Sequence, residues 1–517
     1  MGQLTSGGGT DDKMEVRRLV QVTPHERQIA WQSLGFTIFI HYGINTFTGA
    51  DGEEWGHGSP VAIGSTVKNQ NPSIYQPAGL STDQWCEAVA AAGAKGVIIT
   101  AKHHDGFCLW HTDTTQYSVK YAKSPYNAVD VVKELSKSCT KYGLKMGIYL
   151  SNADGNAMQY GAALIPKDQY NAFYMEQIRE LLSGKYGNYG AYDPDGNYSD
   201  RYGEVFSFWI DGAQGHVDEA YRPTYDFAAF YKLIRELQPM AAISISGPDV
   251  AWVGNESGDV PPTQWSVLPA KLADALYTQS ISQTDVNAPP AKITDPNLGS
   301  RGYMGNYTSL IWYPCEVDVS IRPGWFFHPN ENPKDLSTLS TMYEKTVGGN
   351  VNWLLNIPPN RQGRFNDNDV TRLSELGNWI KKIYDDNLLD VPGVVVSADY
   401  SEPGYPAENI LLDDESYWRP TGERETAQIV ITLPAAQDIT HVVLQEQIRQ
   451  SQRIERFTID VQNADDAWAH NVYSGTTVGF KKICRFARRT ATAVRINITE
   501  SRLYPTLRYA AVHLDKN

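Results

Sequence analysis

The sequence has no apolar run long enough to cross a bilayer and no excess of basic residues. Its 45 lysines and arginines face 59 aspartates and glutamates, which gives a formal net charge of −14. Nucleic acids and anionic membrane surfaces attract basic proteins, so this balance argues against both as partners. We therefore expect neither nucleic-acid binding nor membrane insertion.

Cysteine is scarce and shows no pattern. The five cysteines are Cys86, Cys108, Cys139, Cys315 and Cys484. They form no CxxC pair and no metal-ligand spacing, and their odd number leaves at least one free thiol. We expect them to be buried and reduced.

The compartment and the oligomeric state are left open by the sequence. The first thirteen residues are polar and rich in glycine, and they lack the apolar centre of a signal peptide. We expect an extracellular or periplasmic location if a leader peptide has been removed.

Aromatic side chains and length are what the chain has in quantity. Its 13 tryptophans and 30 tyrosines could stack on the apolar faces of sugars or fill ordinary cores. Its 517 residues exceed what one hydrophobic core normally uses, which predicts two domains.

Segments that are apolar throughout alternate with helical periodicity from residue 35 to about 250. The apolar segments are Gly35–His41, Gly96–Lys102, Lys145–Ser151, Val205–Ile210 and Ala241–Ser246, and the helical ones are Thr82–Gly93, Val129–Tyr142, Asp168–Tyr186 and Thr224–Gln238. Strands without polar alternation are buried on both faces, which is typical of a parallel sheet. The pattern predicts an α/β fold, either a (β/α)8-like TIM barrel or an open sheet. A strand near Trp353–Ile357 and a helix over Asp369–Tyr384 would close the barrel.

The pattern changes near residue 390. Short alternating segments follow at Val391–Ala398, Ala427–Leu433, His441–Gln445, Phe457–Gln462 and Ala493–Ile498. Turn residues separate them, and clear helices are absent, which predicts an all-β sandwich. We therefore expect a barrel domain over residues 1–390 and a sandwich over residues 391–517.

Polar residues collect where the predicted parallel strands end. They are His41-Tyr42-Gly43, Lys102-His103-His104-Asp105-Gly106-Phe107, Tyr149, Asp211-Gly212 and Gly247-Pro248-Asp249, and the loop after the first strand adds Glu53, Glu54 and Trp55. In parallel α/β barrels the active site is built at these strand ends. This end of the barrel is therefore the predicted site.

A metal-dependent hydrolase on the same barrel would use His41, His103, His104 and Asp211 as ligands. Adjacent residues in an extended segment tend to point to opposite sides, so His103 and His104 are awkward ligands for one ion. No HxH or HxxxH spacing occurs among them. A metal site stays the weaker alternative.

Two carboxylates fit glycoside hydrolysis, which needs one carboxyl beneath the anomeric carbon and one beside the leaving oxygen. Asp211 ends a predicted strand, where a nucleophile is held rigidly. Glu256 follows the fifth strand in a loop and can approach the leaving group from the side. We expect Asp211 to be ionised, and Glu256 to be protonated through partial burial and nearby negative charge.

Four motifs together carry a resemblance to a known family. They are Ile40-His41-Tyr42-Gly43, Glu54-Trp55, Lys102-His103-His104-Asp105-Gly106-Phe107 and Trp209-Ile210-Asp211-Gly212. In order and spacing they resemble glycoside hydrolase family 29, the α-L-fucosidases, over roughly residues 20–385. The resemblance implies a distorted (β/α) barrel that hydrolyses terminal α-L-fucose with retention, without metal or cofactor. The implied partners are fucosylated oligosaccharides or glycoconjugates.

The resemblance also implies roles for single residues. Asp211 matches the family's nucleophile. The implied fucose-binding residues are His41, Glu54, Trp55, His103, His104 and Tyr149, with Trp209 beside the sugar.

Two further segments resemble the subfamily that cleaves α1,3- and α1,4-linked fucose. Ser246–Glu256 ends in the glutamate that is the acid/base of that group, and Ser320–Phe326 places Trp325 near the sugar. Many relatives have arginine where Ala251 stands. That departure bears on contacts beside the acid/base loop but removes no catalytic carboxylate.

The C-terminal region is similar to discoidin, or galactose-binding-like (F5/8 type C), sandwiches. The matching segments are Pro406–Ile410, Tyr417-Trp418, Thr440–Glu446 and Thr506-Leu507. Such modules bind sugars or brace an enzyme, and the absence of a recognisable sugar-gripping cluster favours a brace. A non-catalytic carbohydrate-binding protein is a further alternative, disfavoured because Asp211 and Glu256 are both present.

Overall fold

The computed structural model describes residues 9–48, 71–158, 164–183, 203–213, 222–274, 295 and 297–516. The helices are α1 Gly9–Leu19, α2 Glu26–Gln32, α3 Thr82–Ala91, α4 Val131–Lys141, α5 Tyr170–Ser183, α6 Phe227–Leu237, α7 Arg301–Met304, α8 Leu336–Thr346 and α9 Asp367–Tyr384. The strands of the first domain are β1 Phe36–Ile40, β2 Gly96–Lys102, β3 Lys145–Leu150, β4 Val205–Ile210, β5 Ala242–Ile245, β6 Ala251–Trp252, β7 Val267–Pro269, β8 Leu310–Trp312, β9 Cys315–Ser320 and β10 Val351–Asn356.

Eight of these strands form a parallel sheet in the order β5-β4-β3-β2-β1-β10-β9-β6. Its two edges meet at a parallel bridge between Ser244 and Val250, so the sheet is a nearly closed barrel. This confirms the predicted TIM-like fold and decides against an open sheet. Strands β7 and β8 pair separately as an antiparallel ribbon.

The barrel strands are apolar throughout because each contributes to two cores. In β2, Val97 and Ile99 belong to the outer core between strands and helices. Ile98 points the other way, into the barrel-interior core with Phe39 and Trp209. Successive strand residues face opposite sides, so both sets must be apolar.

Strand β6 follows β5 without an intervening helix, and the sequence did not predict it. The chain turns between them through Ile245, which has a left-handed φ of 70°. A Cβ at Gly247 would overlap the carbonyl oxygen of Ile243, so only glycine fits this turn. The tight turn sends the segment ending in Glu256 directly back towards the barrel mouth.

The second domain is antiparallel and all-β, as expected. Its strands are β11 Val395–Ala398, β12 Ala427–Gln445, β13 Ile454–Gln462, β14 Trp468–Gly475, β15 Lys482–Ser501 and β16 Tyr509–His513. The order is β11-β12-β15-β13-β14, with β16 paired to β12. The two segments predicted at 427–433 and 441–445 are one strand, interrupted by a register shift after Thr432.

The β-domain packs directly on helices α8 and α9 of the barrel. Its residues Val443, Ile483 and Ala511 are part of the barrel's outer core. Glu344 on α8 accepts hydrogen bonds from His441 at 3.0 Å and Arg485 at 3.0 Å. The interface is thus apolar at its centre and ion-paired beside it.

All five cysteines are buried and free, as expected. The sulfur atoms of Cys86 and Cys139 lie 3.9 Å apart without forming a disulfide. Among the described helices, none is both long and apolar enough to span a membrane.

Candidate active site

Five predicted site residues meet at the C-terminal end of the barrel strands. His41 follows β1, His103 and His104 follow β2, Tyr149 lies in β3, and Asp211 follows β4. All except Asp211 are buried. The side chain of Asp211 keeps 23% of its surface exposed, so it can meet a ligand.

The carboxylate of Asp211 is held at both oxygens. The Tyr149 hydroxyl donates to Oδ2 at 2.8 Å, and the Ala213 amide donates to Oδ1 at 2.8 Å. The Ser246 hydroxyl donates to the Asp211 carbonyl at 3.0 Å. Burial and the Asp211 charge raise the pKa of Tyr149 well above its usual value, so the phenol keeps the proton it donates.

The three histidines are neutral at neutral pH. Burial lowers the pKa of His41 to about 3, although its hydrogen bond to Asn356 raises it. Burial and the neighbouring imidazoles lower the pKa of His103 well below 6.5. Burial lowers the pKa of His104, and the charge of Asp211 only partly opposes this. Such imidazoles can exchange hydrogen bonds with sugar hydroxyls without carrying charge.

Asn356 fixes the tautomer of His41. The Asn356 amide nitrogen donates to the Trp325 carbonyl at 2.8 Å, so its oxygen must face His41. That oxygen lies 3.1 Å from the His41 amide nitrogen and 2.9 Å from Nδ1. Neutral His41 therefore carries its proton on Nδ1 and a lone pair on Nε2.

His103 and His104 do not point to opposite sides, and that expectation was wrong. Their ring centroids are 4.2 Å apart, and His104 Nε2 lies 3.8 Å from Asp211 Oδ2. The reason is that β2 ends at Lys102 and the chain enters a turn, in which the Gly106 amide donates to the His103 carbonyl at 3.0 Å. The extended-strand rule does not apply there.

The remaining residues of this motif hold the turn in place. Lys102 is fully buried and donates to Asp154 at 2.9 Å and Gln177 at 2.9 Å. Gly106 has a φ of 89°, and a Cβ there would overlap Asp154 Oδ1. The lysine and glycine thus position the two histidines from behind.

Strand β9 adds two acidic residues that the sequence reading missed. Glu316 accepts a hydrogen bond from the Trp209 indole at 2.8 Å, and Asp318 accepts one from the Trp252 indole at 2.8 Å. Burial raises the pKa of Glu316 to about 7 and that of Asp318 well above its usual value. Their spacing of two, with Val317 between them and Val319 after them, was the signal that could have revealed a strand with both carboxyls on one face.

Glu256 lies on the exposed rim of the barrel, whereas partial burial was expected. Its loop runs along the surface, held by Asn255, whose side chain accepts from Ser257 and donates to Asp259. The Trp325 indole donates to Glu256 Oε2 at 3.3 Å. The ring of Trp325 lies 5.0 Å from the ring of His41. Through Trp325, Glu256 therefore borders the same end of the barrel as the histidines.

Two predicted ligands, Glu54 and Trp55, lie outside the described residues. Within the ranges that are described, no three or more histidine, cysteine, aspartate or glutamate side chains are grouped to hold a metal ion. His41 instead hydrogen-bonds to Asn356, and His104 to Ser151.

The chain is similar to known proteins over nearly its whole length. An α-L-fucosidase family model matches residues 20–384, and an F5/8 type C domain model matches residues 395–509. Alpha-L-fucosidase 1 of Arabidopsis thaliana is 33% identical over 499 residues, covering 95% of this chain and 88% of that protein. Plasma alpha-L-fucosidase of Homo sapiens is 22% identical and covers 75% and 76% of the two chains.

Solved structures agree with this. A Ruminococcus gnavus GH29 fucosidase in complex with fucose is 28% identical, with a TM-score of 0.78 over 96% of this chain and 95% of that one. SpGH29 is also 28% identical, with a TM-score of 0.77 over 96% and 99%. With a family model covering most of the barrel and a relative matched almost end to end, the chain belongs to the α-L-fucosidase family, glycoside hydrolase family 29.

Proposed function

We propose that this enzyme is a retaining exo-α-L-fucosidase in which Asp211 is the nucleophile and Glu256 the acid/base. The observation that carries the proposal is the carboxylate of Asp211, held by Tyr149 and the Ala213 amide beside three neutral histidines. The fucose complex of the related Ruminococcus gnavus enzyme supports fucose as the sugar bound.

The proposed reaction has two displacement steps. Asp211 attacks the anomeric carbon, the bond to the leaving oxygen breaks, and Glu256 gives that oxygen its proton. Glu256 then takes a proton from water, which attacks the fucosyl–Asp211 ester and releases fucose. A complex with fucose should show the two carboxyl groups roughly 5–5.5 Å apart.

Sugar recognition is proposed to combine imidazoles with aromatic rings. The lone pair on His41 Nε2 can accept a hydroxyl proton, and His103 and His104 lie within the same cluster of rings. Trp209 and Trp325 belong to the barrel-interior core and offer apolar surface to the sugar's C–H groups. Glu54 and Trp55 remain proposed ligands on the strength of the sequence motif.

We further propose a preference for α1,3- and α1,4-linked fucose. The two segments that suggested this subfamily meet in space, because Trp325 of one donates to Glu256 of the other. A branched aglycone offers a second sugar whose binding energy can be used in the transition state. Lewis-type trisaccharides should therefore have a higher kcat/KM than 2′-fucosyllactose, and the opposite order would overturn this preference.

The proposed division of labour places the whole hydrolytic site in residues 1–390 and gives residues 391–517 a bracing role. All the described candidate residues come from the barrel, which supports the first part. The packing of Val443, Ile483 and Ala511 in the barrel's outer core supports the second. If the β-domain binds sugar instead, a catalytically inactive variant of the full chain should still bind glycans that carry no fucose.

Stereochemistry tests the central proposal most directly. Proton NMR recorded early in the hydrolysis of an aryl α-L-fucoside, before mutarotation, should show that the fucose released is α-L-fucose. Release of β-L-fucose would mean inversion and would remove Asp211 from the role of nucleophile. Turnover that depends on added zinc or manganese would favour the metal-hydrolase alternative.

A further inference from the structure

Three carboxyl groups of the barrel domain each accept a hydrogen bond from a tryptophan indole. The pairs are Trp209 with Glu316 at 2.8 Å, Trp252 with Asp318 at 2.8 Å and Trp325 with Glu256 at 3.3 Å. Trp252 lies four residues before Glu256 in the chain. Asp318 thus holds the segment that carries the proposed acid/base.

Asp318 is fixed in position by its own strand, β9, and by the pairing of β6 with that strand. It lies in β9 and is 5% exposed. Strand β6 pairs with β9 so that Trp252 stands opposite Glu316, and the Val253 amide donates to the Glu316 carbonyl at 2.9 Å. The loop that leads to Glu256 therefore departs from a strand registered on β9.

The surroundings of Asp318 and Glu256 are dominated by negative charge. Burial is the main cause that raises the pKa of Asp318. The charge of the Glu256 carboxylate is the second cause, and that of Glu316 adds to it. The Trp252 indole opposes them. Near Glu256 itself, Asp259 of the same loop pairs with Lys345 of α8 at 3.7 Å, and Trp325 contacts both Glu256 and His41.

We propose that Asp318 is a positioning residue for Glu256: its carboxyl group accepts the Trp252 indole hydrogen bond and so fixes the loop that carries Glu256 beside a second carboxyl group. This inference rests on the proposed role of Glu256. Two neighbouring carboxyls titrate as a unit, because the second ionisation must overcome the charge left by the first. Such a pair holds one proton up to a higher pH than a single carboxyl does, and when that proton is on Glu256 it can pass to the leaving oxygen as the glycosidic bond breaks.

The test is the pH profile of kcat/KM for Asp318→Asn in the full chain. For a Lewis-type trisaccharide, removal of the second charge should move the alkaline limb to lower pH by about one unit or more. For 2-chloro-4-nitrophenyl α-L-fucoside the limb should stay in place, because this leaving group needs no proton. The acidic limb should stay in place for both substrates.

Trp252→Phe provides a second variant with the opposite expected sign. It keeps both carboxyls but removes the donor that stabilises ionised Asp318. The doubly ionised pair is then less stable, so the alkaline limb should move to higher pH. A purely structural role would lower activity in both variants without shifting the limbs in opposite directions.

The matched control is Glu180→Gln on α5. Glu180 is also buried and accepts an indole hydrogen bond, from Trp110 at 2.8 Å, but it lies on an outer helix. Its alkaline limb should coincide with wild type. Folded Asp318→Asn with a wild-type alkaline limb would overturn the proposal, and if that variant does not fold, an unmoved or acid-shifted limb in Trp252→Phe would do so. Wild-type protein that hydrolyses neither substrate would instead refute the proposed function itself.

Discussion

At the scale of single residues, the two proposed catalytic carboxyls have opposite environments. Asp211 is held at both oxygens by donors, whereas Glu256 stands on an exposed loop, where the Trp325 indole donates to it. A nucleophile must be fixed beneath the sugar, and an acid/base must follow a leaving group that differs between substrates. The contrast fits those two tasks.

Glu256→Gln should lose activity according to the leaving group. Natural oligosaccharides need a proton on the departing oxygen, so their kcat/KM should fall by about 10²–10⁴-fold. An aryl fucoside with an acidic phenol should lose less in this step. Added azide should raise its turnover, because azide attacks the anomeric carbon of the fucosyl–Asp211 ester without a base, displaces the carboxylate and gives α-L-fucosyl azide.

Asp211→Asn is the variant to compare with Glu256→Gln. It should abolish turnover of both substrates, and azide should not restore turnover in the way expected for Glu256→Gln. Wild-type kcat/KM for Glu256→Gln on a Lewis-type substrate would contradict the assignment. The search would then move to other acidic residues in the loops that face Asp211.

At this scale the sequence predicted some residues and missed others for a physical reason. His41, His103, His104, Tyr149 and Asp211 stand at strand ends, where parallel strands must bring them together. Their supporting residues come from distant strands, and a single sequence carries no sign of such pairings. The acceptor on Asn356 that fixes the His41 tautomer is one such contact.

At the scale of elements, the turn after β2 shows how a motif combines chemistry with backbone geometry. The Gly106→Ala variant should unfold at a markedly lower temperature. The alanine would have to keep a φ of 89°, and its Cβ would overlap Asp154. We expect a loss of roughly 3 kcal/mol or more in the free energy of unfolding, from left-handed strain and overpacking together.

Gly143→Ala is the matched control for that prediction. Gly143 also has a positive φ, of 67°, but a Cβ there would meet nothing within 4 Å. The Gly143→Ala substitution should lower the free energy of unfolding by only about 1–2 kcal/mol. Denaturant titration of both variants measures the two losses. Equal losses in the two variants would mean that contact with Asp154 is unimportant.

Strand β9 explains why part of the barrel escaped prediction. Strand β2 is apolar on both faces and was predicted with its observed bounds, Gly96–Lys102. In β9 the interior face carries Glu316 and Asp318, so its composition does not indicate a buried strand. In the β-domain, the long strand β12 was divided because Pro434 and polar residues interrupt its alternation.

Glu316 should make the stability of the fold depend on pH. Its pKa is about 7 in the folded protein and near 4.5 otherwise, so the native state holds its proton more tightly. The stabilisation is present below about pH 4.5 and is lost as the pH rises through 7. The loss is on the order of 3 kcal/mol, since each pKa unit corresponds to about 1.4 kcal/mol.

Glu316→Gln removes that titration, which chemical denaturation at pH 5 and pH 8 can measure. The free energy of unfolding should fall less between these values in the variant than in wild type. Parallel curves would show that Glu316 is already ionised in the folded protein.

At the scale of the whole molecule, the two domains share an apolar contact. Val443→Asp would place an unpaired charge in the barrel's outer core and should cost on the order of 3–5 kcal/mol. Calorimetry should show that the barrel is destabilised together with the β-domain, and fucosidase activity should be lost at a lower temperature.

Val395→Asp is the control, because Val395 lies in the same domain but is 60% exposed. It should leave the unfolding temperature nearly unchanged. A barrel transition that stays in place in Val443→Asp would show that the β-domain is a separate module rather than a brace.

The shared contact also sets an order of events during synthesis. Ala511, which packs in the barrel's outer core, belongs to β16, and about 120 residues separate it from residue 390, where the barrel segment ends. Chains grow at about 5–20 residues per second, so roughly 6–25 s separate completion of the barrel segment from arrival of this strand. During that interval the surface of α8 and α9 on the nascent barrel is uncovered, so a chaperone can bind there. A strand that is made after the barrel therefore covers part of the barrel surface.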